Sequence, residues 1–166
     1  MNHETQQWKA SCLMYPELCV YRKSIFSIRP HIWWSLAQIR PYYSRKISAV
    51  AAVLLGCQPK SMQCNIGKII CKLCNARAME NSKHVLLKCE ALSVQRTIAT
   101  EALLNSMPLG MKISFSKLAD EEKVVFILSG LKCDIIIDEW VKILFNIVDY
   151  VYDIYNERKR LYDDLE

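Results

Sequence analysis

Apolar residues recur along much of this chain at spacings of three and four, the period of a helix with one face turned inward. From about residue 134 to the end, Ile137, Val141, Leu144, Val148, Val151, Tyr155, Tyr162 and Leu165 form one stripe, interrupted only where Arg158 takes the position between Tyr155 and Tyr162. Trp140, Ile147, Ile154 and Leu161 add a second row. A stripe this wide predicts a long C-terminal helix packed on other helices of the same chain rather than a two-stranded coiled coil. Dimerisation, or capture of a protein partner, through residues 137–165 is the alternative use of the same face.

Upstream the pattern comes in shorter pieces. Ile32, Leu36 and Ile39 predict a short helix that stops before Pro41. Ser44 is placed to cap a second helix running through Leu55 and ended by Gly56. Residues 57–81, with Pro59, Gly67 and Asn75, read as loop. Val85, Leu86, Cys89, Leu92, Val94, Ile98, Ala102 and Leu103 predict a third helix from Asn81 or Ser82 to about Asn105. Met107-Pro108-Leu109-Gly110 breaks the chain again, and Asp120 suits the N-cap of a helix through Ser129, closed by Gly130. The first 30 residues show no clean period. Three segments follow: 1–43 with a short helix, 44–106 with a helix and the cysteine-rich loop, and 107–166, helical and packing on the same core.

Composition narrows this further. Of 166 residues, 52% are apolar, with only 4 Gly and 5 Pro, so one compact domain or two small lobes with few loops is expected. Residues 1–100 carry 14 Lys/Arg against 4 Asp/Glu, giving +10, whereas residues 101–166 carry 8 against 13, giving −5. A basic first portion suits a phosphate backbone; solvated surface charge is the plainer reading. The N-terminal sequence lacks the basic start and apolar run of a secretory signal, so the eight cysteines are expected in a reducing interior, cytoplasmic or nuclear. No apolar run is long enough to predict a membrane span.

The candidate chemistry lies in the loop and the helix after it. Cys71, Cys74, His84 and Cys89 are laid out as Cys-x2-Cys-x9-His-x4-Cys. Two thiolates two residues apart can bind one ion from a single turn, and the histidine and third cysteine complete a tetrahedral sulfur–nitrogen set. Lys68 and Lys72 favour the thiolate form, and Asn75 tolerates the left-handed backbone that such a turn needs. The alternative is a set of buried free thiols with a satisfied histidine, because cysteine is often buried as a small hydrophobe. Four ligand residues at ligand spacing favour the metal, and one structural Zn2+ is expected. Cys57 and Cys64, which with Cys71 recur every seven residues, are read as core or loop thiols, although either could replace a ligand.

The stretch CKLCNARAMENSKHVLLKCEALSVQR resembles the zinc-binding domain that follows the reverse transcriptase in polyproteins of non-LTR (LINE-type) retrotransposons. Cys71, Cys74, Glu80, His84-Val85-Leu86-Leu87, Cys89, Leu92 and Arg96 carry the likeness, which covers Ser44 to about Leu104. It implies a tail piece of such an element that grips nucleic acid. The family's polymerase uses an aromatic-x-Asp-Asp turn, and Leu161-Tyr162-Asp163-Asp164 has the aromatic one place late on a charged terminal helix. Neither polymerase nor endonuclease chemistry is therefore expected, and the chain is read as non-enzymatic.

Other motifs add little. Gly67-Lys68 lacks the first glycine and the Ser/Thr of a phosphate loop, and His31 beside Trp33 and Trp34 reads as packing. Those tryptophans with Tyr42 and Tyr43 could stack bases, although a helix core is the favoured place for Trp33 and Trp34. Arg40, Arg45, Lys46, Lys68, Lys72, Lys83 and Lys88 are the candidate phosphate contacts. The expectation is a mainly α protein: a helical domain with an embedded zinc knuckle and a long C-terminal helix, binding RNA or single-stranded DNA without catalysis. A protein-interaction module, or a retroelement remnant without activity, is the competing reading.

Overall fold

The structure, a computed structural model, describes residues 6–7, 10, 31–54, 70–130 and 137–165. Among these the chain is helical and forms no strand, with one isolated antiparallel bridge between Ile70 and Met79. The expectation of a mainly α fold with a long C-terminal helix holds. The unpatterned first 30 residues, apart from the few described, lie outside the described residues, as do Gly56, Cys57, Cys64 and Lys68.

The first helix, α1 (Ile32–Ile39), turns Trp33 and Leu36 inward. His31 caps it by accepting the Trp33 backbone N–H, and the Trp33 indole donates to the Leu128 carbonyl at 2.8 Å. Arg40 is extended ahead of Pro41, which keeps the preceding residue out of helical backbone. α2 (Ser44–Leu54) buries Ile47, Val50, Val53 and Leu54. Ser44 does not stand outside this helix as a cap. It has helical backbone, and its hydroxyl donates to the Pro41 carbonyl at 2.6 Å.

The predicted third helix is the main departure. Residues 84–88 form a wide turn closed by the Cys89 N–H donating to the His84 carbonyl at 2.7 Å. Cys89 is extended (φ −59°, ψ 120°), a short tight turn follows, and α3 (Ser93–Asn105) begins only then. A continuous helix would carry Cys89 past His84 on the rising backbone; the break swings it back. The sequence also hides a helix, α4 (Leu109–Lys117), behind a proline, Pro108, that reads as a breaker. The proline sits just before the first turn, where its missing N–H costs no hydrogen bond, and the Pro108 carbonyl accepts the Lys112 N–H. Met111 and Phe115, four apart, face the core.

α5 (Asp120–Ser129) starts after Ala119, not at an Asp120 cap: Glu122 reaches back to the Ala119 N–H at 2.8 Å, and Asp120 is the first helical residue. Gly130 closes the helix in left-handed backbone, as expected. α6 (Ile137–Asp163) is the spine, packing most extensively on α3 and α2. Trp140, Leu144, Ile147, Val148, Val151 and Ile154 are all buried, so the middle of the stripe is consumed inside the chain, while Val141, Tyr155, Leu161 and Tyr162 are half-buried and Leu165 is exposed. Val148 and Val151, the positions on which dimerisation through this face would depend, are both fully enclosed. One apolar cluster draws on all three sequence segments, from Trp33 through Leu86 and Leu103 to Ile154.

Gly130 has φ +59°, and a Cβ there would lie 2.6 Å from Ile32 Cγ2 and 3.2 Å from Leu144. Gly130→Ala is expected to lower unfolding free energy by about 2 kcal/mol or more, from left-handed strain plus overpacking. Denaturant unfolding checks this; a loss under about 0.5 kcal/mol would contradict the close packing of Gly130 against Ile32 and Leu144.

Candidate metal centre

Two stretches converge to make the site. The first is a tight loop in which the Cys71 N–H donates to the Ala78 carbonyl at 3.0 Å. Its left-handed residue is Arg77 (φ 47°), not the expected Asn75. A non-glycine residue there costs about 1 kcal/mol and persists only when neighbouring contacts fix it. The second stretch is the wide turn. Asn81 starts it by accepting the His84 N–H through its side chain at 2.9 Å, and Ser82 hooks it to α2 by donating to the Val53 carbonyl at 2.9 Å.

The four predicted ligands come together. One donor atom from each of Cys71, Cys74, His84 and Cys89 lies within 4.8 Å of all the others. Cys71 Sγ and Cys89 Sγ are 3.9 Å apart, and Cys74 Sγ is 3.4 Å from His84 Nε2. Metal–sulfur bonds of about 2.3 Å and metal–nitrogen bonds of about 2.0–2.1 Å give tetrahedral edges of about 3.8 and about 3.6 Å. Both observed separations match those edges. They are far from the ~2.05 Å of a disulfide, and all three cysteines are free. These residues can therefore hold one metal ion.

Burial sets the protonation chemistry. Cys71, His84 and Cys89 are buried, while Cys74 is half-buried and forms the side nearest solvent. Burial raises the Cys71 thiol and pushes the Cys89 thiol up to about 12, helped by the neighbouring Cys71. Burial lowers His84, leaving a neutral imidazole able to ligate. Without an ion the buried thiols stay protonated, so binding releases protons, and affinity falls as pH falls.

Beside the ligands sits the feature that the sequence reading missed. Arg158, the residue that interrupts the apolar stripe, is only 3% exposed, and it faces Glu80, 4% exposed. Its Nε donates to Glu80 Oε1 at 2.9 Å, and Nη2 donates to the same oxygen. The Tyr162 hydroxyl bonds both carboxylate oxygens at 3.0 and 3.1 Å and accepts the Lys72 N–H at 3.3 Å. Tyr162, at the end of α6, is thus a strut for the loop. The signal was present: a charge at a core position of the stripe demands a buried partner, and Glu80 is one of few acids in the first hundred residues.

The candidate phosphate contacts are scattered. Lys83 pairs with Glu121 at 2.6 Å, Lys88 with Asp120 at 2.7 Å and Lys46 with Asp149 at 2.6 Å. The Arg40 guanidinium lies 4.3 Å above the Phe145 ring yet stays exposed; Arg45 and Lys72 are exposed, and Lys68 lies outside the described residues. Trp33 fills the core as expected, but Trp34 is 52% exposed and Tyr42 is 74% exposed. No described helix is long and apolar enough to cross a membrane. Set against protein-family models, curated proteins and solved structures, the chain finds no match in any of the three.

Removing one partner of a buried pair strands the other charge, at about 3–5 kcal/mol. Glu80→Met and Arg158→Met are each expected to show a loss of that size in denaturant unfolding, and the double variant much less than their sum. Additive losses would contradict the pairing.

Proposed function

We propose that Cys71, Cys74, His84 and Cys89 hold one structural zinc ion, and that the chain is a non-catalytic module for RNA or single-stranded DNA. The observation that carries the metal half is the enclosure of all four donor atoms within 4.8 Å. Three thiolates and an imidazole in a tetrahedron suit zinc, whose filled d shell imposes no competing geometry, and four protein ligands leave no open position for catalysis. The loop needs such a staple. Ile70, Lys72, Asn75, Ala76, Arg77 and Met79 are exposed, so residues 70–80 bury little apolar surface of their own.

The nucleic-acid half draws support from the +10 balance of the first hundred residues, from the resemblance to the retroelement zinc domain, and from exposed aromatics between cations. Trp34, Arg40, Tyr42 and Arg45 stand exposed within twelve consecutive residues. Aromatic faces stack on unpaired bases without regard to sequence, and the guanidiniums meet phosphates. This moves the centre of the surface from the knuckle lysines toward α1 and the start of α2. Lys83 and Lys88, whose ion pairs are exposed and screened by solvent, can still exchange carboxylate for phosphate.

Fluorescence anisotropy with a labelled single-stranded oligonucleotide tests the reading. Affinity is expected to fall steeply with salt. Arg45→Ala should lower the slope of log affinity against log salt by about 1. Trp34→Ala should weaken binding by about 1–3 kcal/mol. Binding indifferent to both changes, or no tighter than that of an unrelated basic protein, would reject it.

A further inference from the structure

Two exposed side chains between α1 and α2, Arg40 and Tyr42, are held from below by one pair of rings. The backbone that carries them is closed on both sides. The Arg40 N–H donates to the Leu36 carbonyl at 2.9 Å, and the Arg40 carbonyl accepts the Tyr43 N–H at 2.9 Å. The Ser44 hydroxyl donates to the Pro41 carbonyl at 2.6 Å. With the proline ring fixing one dihedral, these bonds leave the turn Pro41–Tyr43 little freedom. Beneath it, Phe145 is buried on α6, with the Arg40 guanidinium 4.3 Å above its ring and Tyr43 edge-on, centroids 4.7 Å apart. The Tyr43 hydroxyl donates to Asp149 at 3.1 Å, and Tyr42 leans on the Tyr43 ring with centroids 5.1 Å apart. Tyr42 is 74% exposed, so most of its own ring stays open.

Arg40 is held but not spent. Lys46, Lys83 and Lys88 each pair with a carboxylate, whereas Arg40 has no such partner among the described residues. A cation over a ring face is held by the ring's quadrupole and not by hydrogen bonds, so the guanidinium keeps its donors for an anion. Arg40 and Tyr42 are two residues apart, which puts their Cα atoms within about 7 Å. A single strand of nucleic acid offers the matching groups side by side: a base with a free face, and a phosphate that accepts a forked pair of N–H donors. A duplex offers the phosphate without the free base. We propose that the turn Arg40–Tyr43 seats one unpaired nucleotide, with Tyr42 stacked on the base and Arg40 donating to the phosphate, and that Phe145 is the positioning residue that aims Arg40. The inference rests on the nucleic-acid reading above and names the unit that the surface takes. Arg45, also exposed, rests on no ring among the described residues and supplies charge alone.

The test measures affinity of the full chain for a labelled oligothymidylate, for an abasic strand of equal length and for a duplex. The parent is expected to prefer the oligothymidylate to both. Tyr42→Ala should weaken oligothymidylate binding about 5–150-fold and leave the abasic strand unchanged. Arg40→Lys keeps the charge, so the salt slope should hold while affinity falls about 2–5-fold; Arg45→Lys should match the parent. In a Phe145→Leu background Arg40→Lys should cost nothing further, a coupling that a purely structural role for Phe145 does not produce. Should Phe145→Leu not fold, the comparison of Arg40→Lys with Arg45→Lys, both at exposed positions, decides alone. A Tyr42→Ala loss that is equal on both strands or absent would overturn the assignment, as would Arg40→Lys behaving like Arg45→Lys. A parent that does not bind the oligothymidylate overturns the nucleic-acid reading and this assignment together. Binding that responds to Trp34→Ala and Arg45→Ala but not to Tyr42→Ala or Arg40→Lys overturns this assignment alone.

Discussion

Everything distinctive in this protein follows from four donor atoms being drawn into one buried place by two stretches that would otherwise have little reason to meet. The loop that carries Cys71 and Cys74 has little apolar surface of its own to bury, and one of its residues, Arg77, holds a left-handed backbone. The turn that carries His84 and Cys89 gives up regular helix so that Cys89 can face back toward Cys71. Both distortions cost free energy locally, and a tetrahedral ion held by the four residues would offset both at once. It would thereby join a surface loop to Val85 and Leu86, which reach into the core from the same turn.

A second clamp works on the same loop from the far side. Glu80 is held by Arg158 and Tyr162, one turn apart on the long helix, while the Lys72 N–H meets the Tyr162 hydroxyl. The long helix thus does two jobs along its length. Its first part packs apolar side chains against α2 and α3, and its last turns grip the cysteine loop through a buried charge. Tyr43 and Lys46 on the other face both bond Asp149, at 3.1 and 2.6 Å, fastening α2 to the middle of the same helix. With the middle of the apolar stripe enclosed, the apolar side chains left on the described surface stand elsewhere, Trp34 and Ile39 on α1, Val94 and Ile98 on α3 and Leu109 and Ile113 on α4.

The periodic elements were readable from the sequence because burial imposes a period that composition cannot hide. Trp140 through Ile154 fill the core as the stripe predicts, and Gly130 ends its helix in the backbone that glycine permits. The ligand set was readable because ligand chemistry restricts both residue type and spacing. What escaped notice depends on pairing across distance. Cys89 fits the apolar face of a continuous helix, so nothing local announces that the chain breaks there to turn its sulfur toward a loop eighteen residues earlier. Pro108 reads as a breaker because the same residue that cannot sit inside a helix is well suited to begin one. Arg158 marked its own position as unusual, but its partner, 78 residues away, is visible only once the loop is folded against the helix. Trp34 shows the opposite error: an aromatic expected in the core stands exposed because its neighbour Trp33 takes the inward position on the same short helix.

The proposed role as a nucleic-acid module depends on this architecture more than on any single basic side chain. The Glu80–Arg158 pair, and the ion proposed beside it, fix the loop, and α1 and α2 are held on the core with Trp34, Arg40, Tyr42 and Arg45 outward. X-ray absorption at the zinc edge, on protein purified without chelator, addresses the foundation directly. The expected result is one zinc per chain with three sulfur neighbours near 2.3 Å and one nitrogen near 2.0 Å, as a closed three-cysteine, one-histidine site requires. Protein without stoichiometric zinc, or a shell made only of nitrogen and oxygen, would contradict it.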